Sequence, residues 1–251
     1  MKTLVSWSSG KDSAWMVHVL RQKPGVELGG LLTTVNVTAQ RVAMHAVRVD
    51  LLQAQAAALG LPLRQVAIPS PCSNEQYELA MSEAVRQAID DGFTHVAFGD
   101  LFLEDIRAYR EARLAGTGLT PLFPLFGADT ASLAREMTNA GLRARITCVD
   151  PRVLDRGFAG REFDAALLTE LPSTVDPCGE RGEFHTFAYA GPMFRYPIAI
   201  ESGVVVEREG FVFADVWERD RRDGRSGNSL GTARANRRNH SAQSIGKSST
   251  K

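Results

Sequence analysis

The sequence predicts an α/β fold: a doubly wound, mostly parallel sheet of five strands, followed by a smaller C-terminal α+β part. Three observations support this prediction. Short β-prone segments alternate with segments of helical length over the first 150 residues. A polar turn, residues 8–13 (SSGKDS), directly follows the first β-prone segment. After Asp150 the alternation stops, and short segments typical of paired strands take its place.

Pro and Gly residues between the alternating segments delimit the predicted elements. The five strands of the parallel sheet are expected at residues 3–7, 26–36, 63–68, 94–98 and 143–149. The helices that connect them are expected at residues 14–21, 42–59, 74–91, 101–114 and 130–140. Residues 119–126 contain two prolines and are predicted to form a connector with a short strand. In the C-terminal part we expect a helix at 162–171 and strands at 198–200, 204–208 and 211–217.

The turn at residues 8–13, here called the N-terminal loop, is predicted to bind phosphate. It joins a strand to a helix, so backbone N–H groups and the positive end of the helix dipole point to one place. Three hydroxyl groups and the Lys11 ammonium group lie within it. The Asp12 carboxylate would be repelled by phosphate unless Mg²⁺ lies between them. The alternative is a simple capping turn in which Ser8 or Ser9 is the N-cap of the helix.

The N-terminal loop matches neither of the two commonest nucleotide-binding patterns, G-x-x-x-x-G-K-[ST] and G-x-G-x-x-G. In a parallel sheet the ligand lies outside the carboxyl ends of the strands. The segments that follow the predicted strands are therefore the candidate binding segments, namely residues 8–13, 33–36, 69–74, 99–104 and Asp150.

A second informative stretch lies late in the chain at residues 179–183, with the sequence GERGE. Two glycines and two carboxylates in five residues disfavour both helix and strand. Such a loop suits ligand recognition or metal binding. An exposed turn with unengaged Glu180 and Glu183 side chains is the alternative.

Several features together resemble the diphthine–ammonia ligase family of pyrophosphate-loop ATP pyrophosphatases (adenine nucleotide α-hydrolases with a HUP-like fold). They are the N-terminal loop, Gly99-Asp100 after the fourth strand, Tyr109-Arg110 in the next helix, and the GERGE stretch before an aromatic residue. The resemblance covers about residues 1–217. His185-Thr186 and the Asp-Pro-Cys sequence at 176–178 resemble the bacterial branch. Ser9 stands where the family usually has Gly, so we expect a negative φ there.

The resemblance implies an AMP-forming, ATP-dependent ligase that makes a carbon–nitrogen bond. ATP would adenylate a carboxylate acceptor with release of pyrophosphate, and ammonia would then displace AMP to leave an amide. The loop hydroxyls, the loop N–H groups and Lys11 would stabilise the charge on the leaving pyrophosphate. Asp12 would hold Mg²⁺ between phosphate oxygens. Expected ATP-binding residues are Ser8, Ser9, Gly10, Lys11, Asp12, Ser13, Thr33, Thr34, His45 and Gly99.

The remaining site residues are also assigned by resemblance. Lys11, Asp12, Asp100 and Glu183 are expected to be catalytic, with Asp100 either binding metal or positioning the nucleophile. The expected substrate-binding residues are Tyr109, Arg110, Glu180, Glu183 and Thr186. A solvated helix face is the alternative for Tyr109 and Arg110, and a surface position is the alternative for His45. Cys178 is either a nucleophile or a small packed residue.

The expected units are a nucleotide-binding domain at 1–150, a substrate-binding part at 151–217 and a disordered basic tail at 218–251. The tail holds nine Lys or Arg and three Asp or Glu, which leaves an acidic body and makes a nucleic-acid partner an unfavoured prediction. Three separated cysteines and the lack of a long apolar run favour a cytoplasmic protein without a membrane span. A homodimer is compatible with the sequence.

Two other functions remain open at this stage. One is a pyrophosphate-loop tRNA-modifying enzyme of the thiolation or lysidine type. The other is a non-catalytic ATP- or AMP-binding sensor. The combination of Lys11, Asp12 and Ser13 favours catalysis, because a sensor does not need to stabilise a leaving group.

Overall fold

The computed structural model describes residues 1–36, 41–42, 47–69 and 71–219. Residues Met1–Arg219 form one compact unit. His45 and residues 220–251, which contain nearly all of the predicted tail, lie outside the described residues. Within the described part, no helix combines the length and apolar character that a membrane crossing requires.

The strands fall into two sheets. The first contains β1 (Lys2–Ser6), β2 (Glu27–Asn36), β3 (Arg41–Val42), β4 (Leu63–Ile68), β5 (His95–Ala97) and β6 (Thr120–Leu122). The second contains β7 (Arg143–Val149), β8 (Phe184–Ala190), β9 (Ile200–Arg208) and β10 (Phe211–Glu218). The helices are α1 (Lys11–Arg21), α2 (Val49–Leu59), α3 (Asn74–Asp90), α4 (Glu104–Leu114), α5 (Thr130–Asn139) and α6 (Ala165–Glu170).

The first sheet confirms the predicted parallel architecture. Within the described residues its five parallel strands run in the order β4-β2-β1-β5-β6, and the two-residue strand β3 pairs antiparallel with the end of β2. The chain leaves β1 toward β2 on one side and reaches β5 on the other. The order therefore reverses between β1 and β5, which is where ligands bind in sheets of this kind.

The assignment of residues 143–149 to the parallel sheet is wrong. This segment is β7, and it pairs antiparallel with β8 and β10 in the second sheet. The fifth parallel strand is β6, a three-residue strand inside the predicted connector. The sequence of this segment, Arg-Ala-Arg-Ile-Thr-Cys-Val, favours a strand but does not say which strands it pairs with.

Two apolar cores lie on opposite faces of the parallel sheet. One face packs against α1, α2 and α5 and continues into the second sheet, with Trp15, Leu51, Met137 and Phe187 buried in a single cluster. The opposite face packs against α3 and α4 around Leu4. Helices thus cover both faces, as the doubly wound prediction requires.

Local signals explain where several helices begin and end. Ser73 and Gln76 form a reciprocal capping box at the start of α3. The Asp129 side chain accepts a hydrogen bond from Ser132 N and so caps α5. Gly60 ends α2 with a φ of 66°, a left-handed conformation that glycine adopts without strain.

Candidate active site

A cleft of about 240 Å³ lies at the carboxyl ends of β1 and β5, beside the second sheet. Three segments form most of it: the N-terminal loop with the start of α1, the residues after β5, and residues 176–183 together with the start of β8. We call residues 176–183 the acidic loop. The cleft is lined by Ser6, Ser8, Lys11, Asp12, Ser13, Phe98, Gly99, Asp100, Arg110, Cys178, Gly179, Glu180, Phe184, His185 and Thr186.

The residues at the start of α1 bring hydroxyl groups to this cleft. The Ser8 and Ser13 hydroxyl oxygens lie 3.1 Å apart. The N-cap of α1 is Gly10, with a φ of −82° and no side-chain cap. The interpretation with Ser8 or Ser9 as N-cap is therefore wrong. No side chain of the N-cap residue itself covers this end of the helix, so the positive end of the dipole can act on an anion there.

Ser9 adopts a conformation that the sequence argument did not expect. Its φ is 70°, so the expectation of a negative φ is wrong. The Ser9 carbonyl accepts hydrogen bonds from Ala188 N at 2.9 Å and from Gln55 Nε2 at 3.0 Å. The Ser9 hydroxyl is fully buried and does not line the cleft, so Ser9 contributes backbone shape there and not a side-chain contact.

Lys11 joins the N-terminal loop to the acidic loop. Its side chain is 2% exposed, and Nζ donates to the Asp12 carboxylate at 2.9 Å and to the Cys178 carbonyl. The rings of Phe163 and Phe184 each lie 5.4 Å from Nζ. Burial alone would lower the pKa of Lys11, but the Asp12 carboxylate reverses that effect and the pKa is raised. Lys11 is therefore a charged link between the two loops.

The residues after β5 form a second ion pair at the edge of the cleft. Asp100 accepts two hydrogen bonds from Arg110, at 2.6 and 3.3 Å, and the Arg110 guanidinium lies 4.4 Å from the Phe98 ring centre. A side chain on Gly99 would come within 3.3 Å of the α1 backbone at Asp12. Gly99 thus allows the close approach of helix α1, whereas the prediction was close approach of the nucleotide.

Two carboxylates hold the acidic loop from the inside. Asp176 accepts from the backbone N–H groups of Cys178 at 2.9 Å and Glu180 at 3.3 Å. Glu183 accepts from Asp176 N and Arg181 N, both at 3.0 Å, and is 5% exposed. Glu183 is absent from the cleft lining, so the structure gives it a different place from the predicted catalytic and substrate-binding one.

Glu180 is the carboxylate of the GERGE stretch that reaches the cleft. Its Oε1 accepts from Leu101 N at 2.7 Å. Burial raises the pKa of Glu180 to about 7, with Asp12 and Asp100 adding to the rise and the Leu101 N–H opposing it. A carboxyl group with a pKa near neutrality is suited to proton transfer.

Three further cleft residues have defined surroundings. The Thr186 hydroxyl accepts from Lys11 N at 3.1 Å, so the second sheet contributes to the start of α1. Burial lowers the pKa of His185 to about 4, and Lys11 adds to this effect. Burial raises the pKa of the Cys178 thiol to about 12, which favours the packed-residue interpretation over a nucleophile.

Two more cavities adjoin the cleft on the α3–α4 face of the sheet. One, of about 350 Å³, is lined by Thr33 and Thr34 with apolar residues, although the Thr33 hydroxyl itself donates to Trp7 O at 2.8 Å. The other, of about 200 Å³, is lined by Tyr109, which is 46% exposed. Phe98 and Arg110 line both cavities as well as the cleft, so the three spaces meet at these two side chains.

Asp12 is the predicted Mg²⁺ ligand, and its carboxylate lines the cleft while paired with Lys11. Among the described residues, no group of three or more His, Cys, Asp or Glu could hold a metal ion without help. Mg²⁺ commonly binds through one or two carboxylates together with substrate phosphates and water. Asp12 could supply one such carboxylate.

Sequence reasoning missed three residues that shape the site. Gln55 lies inside α2 and has no local motif to mark it. His185 was noted only as a branch difference, although it lines the cleft. Asp176 had a usable signal, because Asp before a Pro-x-Gly segment commonly accepts hydrogen bonds from the backbone N–H groups that follow it.

Comparison with known proteins assigns most of the chain to a family. The family model for the diphthamide synthase N-terminal domain matches residues 1–114, and the model for the C-terminal domain matches residues 129–217. The chain belongs to the diphthamide synthase (diphthine–ammonia ligase) family. The family resemblance seen in the sequence is thereby confirmed, while the bacterial branch and the boundary at residue 150 stay predictions. In this member of the family, the N-terminal loop lies in one matched domain and the acidic loop in the other.

A human protein, diphthine–ammonia ligase, is similar to part of this chain. The two are 34% identical over 103 residues, which is 39% of this chain and 39% of the human protein. The matched region therefore spans well under half the length of that relative.

Proposed function

We propose that this member of the diphthamide synthase family is an ATP-dependent, AMP-forming ligase that amidates a carboxylate. The observation that carries the proposal is the shared cleft, which is lined both by the start of α1 with the Ser8 and Ser13 hydroxyls and by Glu180, a carboxyl group of near-neutral pKa. The first feature suits a polyphosphate, and the second suits the proton transfer that amide formation needs.

In the first step an acceptor carboxylate oxygen attacks the α-phosphorus of ATP, and the bond to the β-phosphate oxygen breaks. Pyrophosphate leaves with its charge facing the start of α1 and the Ser8 and Ser13 hydroxyls. Such donors stabilise a growing negative charge without having to reorganise. Asp12 would hold Mg²⁺ here, and the metal would neutralise charge on the phosphate oxygens.

The meeting point of the three cavities supports an arrangement of the substrates. The adenosine would occupy the cavity lined by Thr34, with Thr33 shaping its wall. The acceptor would enter along the cavity lined by Tyr109. The α-phosphate and the acceptor carboxylate would then meet beside Arg110 and Phe98, where the guanidinium is held by Asp100.

In the second step ammonia attacks the acyl carbon, and AMP leaves as the new C–N bond forms. Ammonium must lose a proton before it can attack. The Glu180 carboxylate would take that proton, and its raised pKa suits that role near neutral pH. Thr186 and Glu183 would act through the backbone they hold and not by touching the acceptor.

The test is product analysis with α-labelled ATP, Mg²⁺, ammonium and a panel of carboxylic acids, alongside a parallel series with tRNA. We expect labelled AMP with release of pyrophosphate, dependent on ammonium and on one class of carboxylate. ADP as product, or no turnover with any acceptor, contradicts the proposal. AMP formed only when tRNA is added would favour the tRNA-modifying alternative.

A further inference from the structure

The left-handed backbone at Ser9 is held from outside the N-terminal loop. A φ of 70° carries a steric penalty for a residue with a Cβ atom. Within the described residues the buried Ser9 hydroxyl has no hydrogen-bond partner that would offset this penalty. The Ser9 carbonyl, in contrast, receives two donors, Ala188 N and Gln55 Nε2. Strained backbone of this kind persists where the surroundings fix it.

The Gln55 side chain is held in place by burial and by three hydrogen bonds. Its side chain is fully buried, and its Oε1 accepts from Trp7 Nε1 at 3.0 Å. Besides Ser9 O, its Nε2 donates to Ala188 O at 2.6 Å. Both amide hydrogens and the amide oxygen are therefore used, and a flipped or rotated amide would lose all three hydrogen bonds.

We infer that Gln55 is a positioning residue that holds Ser9 in its left-handed conformation and thereby sets where the start of α1 lies in the cleft. Ser9 directly precedes Gly10, the N-cap, so its φ sets the direction in which the helix begins. Without the amide of Gln55, Ser9 would relax toward negative φ, and the helix start would turn away from the cleft. The ligand consequence rests on the proposed function, whereas the conformational part does not.

The first readout is binding of pyrophosphate with Mg²⁺, measured by calorimetry. Gln55→Met keeps the size of the side chain and removes the donors, and we expect it to weaken binding at least about tenfold, equivalent to ~1.4 kcal/mol. Glycine adopts positive φ without penalty. In a Ser9→Gly background the same Gln55→Met change should therefore weaken binding by less than about threefold.

The second readout is hydrogen exchange of the Ala188 amide, whose acceptor is Ser9 O. Gln55→Met should speed its exchange, and the added Ser9→Gly change should restore protection. Met137→Ala is the control, because Met137 is a buried core residue on α5, outside the cleft lining. Met137→Ala should lower the melting temperature about as much as Gln55→Met does. It should leave pyrophosphate affinity and the exchange rate of the Ala188 amide unchanged.

The outcomes separate the two proposals. The role of Gln55 is overturned if Gln55→Met and Met137→Ala weaken pyrophosphate binding equally. It is also overturned if adding Ser9→Gly to Gln55→Met restores neither pyrophosphate affinity nor protection of the Ala188 amide. If the wild-type chain does not bind pyrophosphate but the exchange pattern is as described, the proposed function fails and the role of Gln55 in holding Ser9 is supported. Binding by the wild type together with unchanged exchange in Gln55→Met supports the function and rejects the positioning role.

Discussion

The two loops that line the cleft are held in different ways. The N-terminal loop is held from outside, by Gln55 and Ala188 on the Ser9 carbonyl and by Thr186 on the Lys11 amide. The acidic loop is held largely from inside, because Asp176 and Glu183 accept hydrogen bonds from its own backbone. Lys11 Nζ and Leu101 N add contacts from outside.

This difference changes how acidic residues in a loop should be interpreted. Two glutamates three positions apart looked equivalent in the sequence. In the structure the Glu183 carboxylate accepts hydrogen bonds from two backbone N–H groups, whereas Glu180 lines the cleft. A buried carboxylate that accepts two backbone N–H groups stabilises a loop and has little left to offer a ligand.

The largest effect is expected from Asp12→Asn, which alters the charged chemistry of the N-terminal loop. We expect AMP formation to fall at least about 100-fold, because the variant loses the metal-binding carboxylate and the charge partner of Lys11. Steady-state assays with α-labelled ATP measure it. Asp105→Asn, a change at an exposed acid on α4, should leave the rate unchanged. Full AMP formation by Asp12→Asn would remove Asp12 from the mechanism.

The next prediction separates the two glutamates directly. Glu183→Gln should lower the free energy of unfolding by about 1–3 kcal/mol, because one of two buried N–H groups would face an amide NH₂ group. Glu180→Gln should not lower it, since the amide oxygen still accepts from Leu101 N and the variant no longer buries a charge. Denaturant unfolding measures both. Equal effects in the two variants would contradict the distinction.

The limits of sequence reasoning follow from the same contrast. The parallel sheet and the N-terminal loop could be predicted, because local periodicity and turn chemistry decide them. The partner strands of β7 could not, since the strand-forming pattern of residues 143–149 does not say which strands it pairs with. The positive φ of Ser9 and the role of Gln55 depend on contacts between distant segments, which a local pattern does not record.

A smaller effect concerns the pH dependence that Glu180 confers. Because the free carboxylate must accept a proton, AMP formation at constant free ammonia should rise as pH increases through about 7. The raised pKa acts on stability with the opposite sign. The stability that the protonated Glu180 carboxyl group contributes is complete below pH 4.5, its ordinary pKa, and is lost as pH rises through about 7.

Glu180→Gln supplies the comparison for both pH effects. The variant should show a flat rate profile near neutrality, and its stability should not decline between pH 4.5 and about 7 on account of this residue. Rate profiles and urea unfolding at several pH values measure the two effects. If the rate of AMP formation still rises through pH 7 in the variant, the rise belongs to another titrating group.

The smallest effect is expected from Thr186→Val, which removes the hydroxyl that accepts from Lys11 N. The free energy of unfolding should fall by about 1 kcal/mol, as it does when a helix cap is removed. Thermal unfolding measures it, with Thr169→Val on the exposed side of α6 as a control that should have little effect. No loss relative to this control would show that the second sheet does not support the start of α1.

The most direct test of the central claim is a crystal structure with Mg²⁺ and an ATP analogue that resists cleavage between the α- and β-phosphates. The account predicts the β- and γ-phosphates at the start of α1, within hydrogen-bond distance of Ser8 and Ser13, and the α-phosphate beside Arg110. A triphosphate bound elsewhere, with the N-terminal loop making no contact to it, would contradict the account.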